Sequence, residues 1–423
     1  MLSMTRFVIR DDKLNSILGF LGKKKLGLIF RSCFYNNMQN RTTTILLTSI
    51  CFFAFFIFGV TDNLKGPTLP AMLAELNIDY GTGGNIFFSE YVGFLIATLI
   101  TGILADRFGL KLVFVLAGVA LVIGAGGYSY FGTPLLLSIS LFIVGLGLGA
   151  FELGPNAVIV SLYHEQKGLY LNLMAVMHGL GSMIAPLFVG LLFSMDVSWR
   201  AVYRWDLVLI AIFLTASLLL RFPKSEDKAS LDFRAIPKVA FKHSMPYYYG
   251  AMLFYVAAEI GLASWMVVYL QQARGLNEVI SNNYLAIFFG MLMLGRFLGG
   301  FIVKRVGYLR AILIASLMAT LSVSFGIFSE FAIFIPLTGF FFSIIFPTLT
   351  AAVSDVEHEN TNTILGVLFT FSGIGGVIGP WLVAWSSELL GLQIGFISTI
   401  LLCTLTVIFA FILNQRNGHG QST

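Results

Sequence analysis

Two carboxylates stand isolated in long apolar runs of this chain, and chemistry is possible there. Glu152 lies in GLGAFELGPNAVIV (147–160) and Glu259 in FYVAAEIGLASW (254–265). A carboxyl held among apolar groups yet reachable from water can bind and release a proton or another cation. Asn156 follows Glu152 by one helical turn on the same face, with Pro155 locally opening the backbone. Asp62, Asn63 and Lys65 form a third polar group near the end of the first apolar run. Asp62 is either a further coupling carboxylate or the structural partner of Lys65 at i+3.

His178 and Arg296 also fall inside apolar runs. The histidine can donate to and accept from a solute's hydroxyls, and Arg296 suits a carboxylate or the carbonyls of a helix end. Asn63, Asn156, His178, Tyr255, Trp265 and Asn283 together make a set of amides and rings suited to a neutral sugar. Trp265 falls nearly opposite Glu259 on an ideal helix and joins it only if Gly261 breaks that helix. For each of these residues the competing reading is packing, with the polar group satisfied by a neighbouring helix.

Composition places the elements that carry these residues in a membrane. The chain is 57% hydrophobic and 11% charged, with a mean hydropathy of +0.87, where soluble domains carry about 25% charged residues. Twelve apolar stretches lie between 43 and 413, each near the ~20 residues a spanning helix needs. The first covers 43–70 and the second 85–105. Only helices and closed barrels satisfy their backbone in lipid, so the expected fold is all-α with twelve transmembrane helices. The domain expectation is a basic tail at 1–42, a six-helix bundle at 43–221, a polar linker at 222–246, a second bundle at 247–413 and a tail at 414–423. Met38 offers a second possible start.

Most Lys and Arg gather in loops on one side, which the positive-inside rule assigns to the cytoplasm together with both termini. On this count Lys65, Arg200, Arg204 and Arg274 fall outside. The formal charge of +5 records that rule and attraction to anionic lipid, not nucleic acid. Cys33, Cys51 and Cys403 have uninformative spacing, and the histidines are scattered, so neither a disulfide framework nor a metal site is expected. No cofactor motif or Ser/His/Asp set appears, and an enzyme is not expected. The expected partners are a small-molecule solute, a proton or sodium ion, and membrane lipid around a monomer. Composition fits a bacterial cytoplasmic membrane.

The chain also repeats itself. GILADRFGLK at 102–111 returns in degenerate form as GFIVKRVGYLR at 300–310, and HGLGSMIAP at 178–186 as SGIGGVIGP at 372–380. Similarity at half-length within apolar segments predicts two six-helix bundles with a site between them.

The loop G-x-L-A-D-R-x-G-x-K resembles the signature between the second and third helices of the major facilitator superfamily. Within it, FELGPNAV (151–158), FYVAAEIGLASW (254–265), NYLA (283–286), GRF (295–297) and FPTL (346–349) resemble the fucose–galactose–glucose:proton symporters and their sodium-coupled glucose relatives. The resemblance implies a gating loop of Gly102, Asp106, Arg107, Gly109 and Lys111, with Arg305 in the second copy. Asp106 would lie against a helix N-terminus of the other half and lock one access state; Lys304 stands where the second copy would carry its Asp. It further implies that Glu152 carries the coupling proton. His178 and Gly66 depart from the fucose pattern, which moves the expected solute away from fucose. Expected function is cation-coupled symport of a neutral sugar or related solute by alternating access; a proton-coupled drug or metabolite exporter on the same fold is the alternative.

Overall fold

The structure is a computed structural model describing residues 23–163, 166–222, 241–242, 244–356 and 361–418, without the side chains of 23–41, 361–363 and 417–418. Most of the expected tail at 1–42, of the linker at 222–246 and of the last residues therefore lies outside the described residues. Contacts group the chain into two compact units, Met1–Ser49 and Ile50–Thr423. The first carries the start of helix α1. The remaining description concerns the second.

The helices are α1 Lys23–Asn63, α2 Lys65–Leu76, α3 Tyr80–Phe108, α4 Leu110–Tyr130, α5 Pro134–Leu162, α6 Lys167–Phe193 and α7 Trp199–Leu219. After the linker follow α8 Met245–Gln272, α9 Glu278–Val306, α10 Tyr308–Phe328, α11 Phe334–Phe342, α12 Ile345–Val356, α13 Thr361–Leu390 and α14 Leu392–Gly418. Among the described residues twelve spans are long and apolar enough to cross a membrane. Two of them are interrupted: the first, Thr42–Leu76, bends at Leu64 between α1 and α2, and the tenth, Phe334–Val356, is divided into α11 and α12. The second span runs from Tyr80 to Phe108, longer than the expected 85–105, because Asp79 starts it earlier. The Asp79 carboxylate accepts the Thr82 backbone N–H at 2.6 Å, a side-chain cap that satisfies an orphan amide of the first turn.

The internal repeat is visible in the backbone. Gly109 (φ 85°, ψ 158°) and Gly307 (φ 85°, ψ 156°) each end one helix and begin the next. Their N–H groups donate to the carbonyls of Ala105 and Val303 at 2.9 Å. A side chain is strained at this φ, which accounts for glycine at both places.

Helices α2–α7 pack among themselves, with the part of α1 around Gly59 against α6; α8–α14 do likewise, and the two sets are joined by α3 against α13, α6 against α9, and α2 against α8. Small residues allow this. A Cβ on Gly84 would fall 2.1 Å from Ala384 Cβ, and one on Gly190 3.3 Å from Asn282 Cβ. Along α3 and α13 close approach continues to Gly376 beside Tyr91 and Gly373 beside Leu95; along α6 and α9 it continues to Gly179 beside Met293. Further along each helix it stops: a Cβ on Gly102, Gly168, Gly300 or Gly366 meets nothing within 4 Å. The halves are thus closed at the end carrying Tyr80 and Glu388 and parted at the end carrying the basic loops.

Candidate functional site

Charged groups of both halves act on one another across the spans. Glu152 on α5 and Glu259 on α8 are each partly exposed, and the guanidinium of Arg296 on α9 acts electrostatically on both carboxylates and on His178 of α6. Arg296 is itself exposed and takes no part in the ion pairs found among the described residues. It therefore balances two acidic groups without being committed to either. Helix α5 stays continuous through Pro155, and Asn156 Nδ2 donates to the Glu152 carbonyl at 2.5 Å. In the second half the Tyr255 phenol donates to Glu259 Oε2. Tyr255 is buried, with its ring edge-on to Phe342.

His178 is half-buried against Phe58, rings edge-on at 4.7 Å. Its carbonyl accepts from Ser182 Oγ, and Asn63 Nδ2 donates to Ser182 Oγ at 3.0 Å and to Gly59 O at 2.9 Å. The Asn63 amide nitrogen thus joins α1 to α6, leaving its oxygen as the group able to meet a solute.

Several expected residues sit elsewhere. Trp265 does not share the space around Glu259: α8 is unbroken through Gly261, and the indole is fully buried. Its Nε1 donates to Pro380 O at 3.0 Å, and its rings pack against Tyr80 and Phe87. Asn283 is exposed in the first turns of α9, away from the parting; its neighbour Asn282 is the buried amide, with neither polar atom partnered. Asp106, Arg107 and Arg305 are exposed at the parted end. The expected lock of Asp106 onto the other half is not formed, because the halves do not meet at that depth. Lys111 Nζ instead caps α7 of its own half, donating to Leu218 O at 2.8 Å.

The largest departure concerns Lys65, assigned by charge counting to the outer surface. Its side chain is only 4% exposed, with Nζ 2.5 Å from Asp62 Oδ1 and 3.0 Å from Glu90 Oε1, and 4.3 Å from the Tyr91 ring centroid. Asp62 is thus paired with Lys65, as one sequence reading held. Glu90 and Asp206, each a carboxylate within an apolar run, are buried as well, beyond the residues that the sequence singles out. Asp206 Oδ2 accepts from Thr61 Oγ1 at 2.8 Å, tying α7 to α1.

Twelve spans in two repeated halves, with charged groups of both halves acting on one another, are the architecture of a transporter. The chain belongs to the Major Facilitator Superfamily, whose family model matches residues 51–380 and, in a second alignment, 285–422. It is similar to a putative glucose/galactose transporter of Helicobacter pylori, 23% identical over 81% of this chain and 89% of that one. Among solved structures it resembles the E. coli fucose:proton symporter, 21% identical over 88% of this chain and 99% of that one, with a TM-score of 0.61. It also resembles a nucleoside transporter, NupG, 15% identical over 88% and 98%, with a TM-score of 0.73.

Proposed function

We propose that the chain is a proton-coupled symporter of a neutral, hydroxyl-rich small solute, a monosaccharide or related polyol. The observation that carries the reading is that Arg296 acts electrostatically on one carboxylate from each half, Glu152 and Glu259, while forming an ion pair with neither. In this reading protonation of Glu152 changes the charge balance across the parting and so biases which side the site faces; proton and solute must then raise each other's affinity by the same factor. Asn63, Asn156 and His178 supply hydroxyl-directed groups from the first half, and Tyr255 holds the Glu259 carboxylate in the second. Similarity to a putative glucose/galactose transporter and to a fucose:proton symporter favours the same solute class.

The basic end is the cytoplasmic one in this proposal, with both termini there, in a bacterial cytoplasmic membrane and as a monomer. The conformation described is then the inward-open one, and the Asp106 lock belongs to the opposite state. The bundles run from 43 to 221 and from 247 to 413, with 222–246 linking them.

The test is uptake of a labelled monosaccharide panel into vesicles at several pH values, with and without sodium, for wild type and Glu152→Gln. Uptake driven by an imposed pH gradient, lost in Glu152→Gln while exchange survives, is the expected result. Sodium dependence would shift the coupling role towards Glu259. Extrusion of toxic cations with no sugar uptake would replace this reading with the exporter.

A further inference from the structure

We propose that the Lys65 ammonium is the resident, tethered cation of a carboxylate site formed by Asp62 and Glu90, and that vacating it creates a site for a soluble monovalent cation. The site lies at the bend of the first span, where α1 gives way to α2 and α3 crosses beside it. Both carboxylates direct an oxygen at the same Nζ, at 2.5 and 3.0 Å, and the Tyr91 ring lies against it. Hard oxygen ligands around one compact positive charge are what a hard metal cation takes. A second, independent feature points the same way: Glu90 is 2% exposed, yet its Oε2 has no hydrogen-bond partner. A carboxylate that served only to neutralise a structural lysine would be expected to have both oxygens satisfied.

Charge accounting sets the consequence. With both carboxylates ionised, one ammonium leaves a single uncompensated negative charge; removing it leaves two in a buried place, a charge that a cation competing with protons must neutralise. The other groups that act electrostatically with these charges are Tyr128 and Tyr203, which sense Glu90 and Lys65, and His178, which senses Asp62. Among the described residues none of them is an ion-pair partner of either carboxylate. In the native chain the tether fills the position permanently, so this carboxylate pair draws nothing from solution. Which solute the transporter moves does not enter the argument. Since the readout is cation binding, failure here leaves the proposed transport reading standing, and the reverse.

The full-length protein would be purified as wild type, Lys65→Ala, Lys65→Arg and the double variant Lys65→Ala/Glu90→Gln. Each is titrated with sodium, lithium and methylammonium at constant ionic strength against N-methylglucamine, following thermal unfolding and binding of radioactive sodium. Expected are a saturable rise in melting temperature and saturable sodium binding in Lys65→Ala alone, both reduced at least tenfold in the double variant. Wild type and Lys65→Arg should not respond. A Lys65→Ala protein that folds and binds none of these cations overturns the proposal. So does one that folds in none of these media, methylammonium included, because the vacated site then accepts no soluble cation.

Discussion

Glu388 Oε2 accepts the backbone N–H of Tyr80 at 3.0 Å, so a carboxylate near the end of α13 caps the start of α3 across the two halves of the molecule. The same tyrosine donates its phenol to Gln272 Oε1 at 2.5 Å on α8, and Trp385 Nε1 donates to Asn85 Oδ1 at 3.3 Å. These bonds close the end opposite the basic loops. Each is worth roughly 0.5–1.5 kcal/mol net. Glu388→Ala is therefore expected to raise the fraction of molecules open at that end by about two- to tenfold. A cysteine introduced at Ala384, buried against Gly84, reports this as faster labelling by a membrane-impermeant maleimide. An unchanged labelling rate would remove Glu388 from the closure.

Gly145 sets the spacing of α3 and α5. A Cβ there would fall 1.9 Å from the carbonyl oxygen of Glu90, too close for any rotamer change to relieve because the obstacle is backbone. Gly145→Ala should cost about 1–3 kcal/mol through forced separation of the helices. It should lower both the melting temperature and the yield of monodisperse protein. Gly102→Ala, with open space at its Cβ, is the control and should leave both unchanged.

Trp265→Phe distinguishes a structural indole from a solute-binding one. The substitution deletes the Nε1 bond to Pro380 O and part of a fully buried ring. It should destabilise the fold by about 1–3 kcal/mol, since a fully buried side chain loses volume and an indole hydrogen bond. Solute affinity measured on the folded fraction is expected to remain within about twofold of wild type, because the ring lies between α3 and α13. A large loss of affinity with unchanged melting would return Trp265 to the binding set.

The sequence made some of this legible and hid the rest for physical reasons. Glu152 and Glu259 stood out because a lone carboxylate in an apolar run is costly and needs a purpose. The glycine loops stood out because Gly109 and Gly307 occupy a backbone region that other residues avoid, and the repeat preserved both. Glu90 carried the same signal as Glu152, but its partner Lys65 lies 25 positions earlier, and nothing local joins them. Counting charges by loop then put Lys65 outside, since a buried ion pair and a surface lysine look alike in one dimension. Asn282 and Asn283 show the limit from another side. Only the packed angle of α9 against Gly190 decides which of two adjacent amides is enclosed.

Asp79 offers a pH-dependent test outside the spans. Hydrogen bonds from Thr82 hold its carboxyl below the ordinary carboxylate range. A carboxylate whose folded value is depressed stabilises the fold fully above its unfolded value, near 3.8, and loses that contribution as pH falls through the folded value. The side chain is exposed, so solvent screening keeps the electrostatic part small. Asp79→Ala should destabilise the start of α3 at neutral pH, the usual cost of a lost cap being about 1 kcal/mol. Asp79→Asn should retain most of the cap because its amide oxygen still accepts the Thr82 N–H. The melting-temperature gap between wild type and Asp79→Ala should then be constant from about pH 7 to pH 5 and narrow below about pH 4, where the cap protonates. Asp79→Asn should show no such narrowing against Asp79→Ala. A gap that is flat through the acid range for wild type would mean that the carboxylate's charge contributes nothing to the cap.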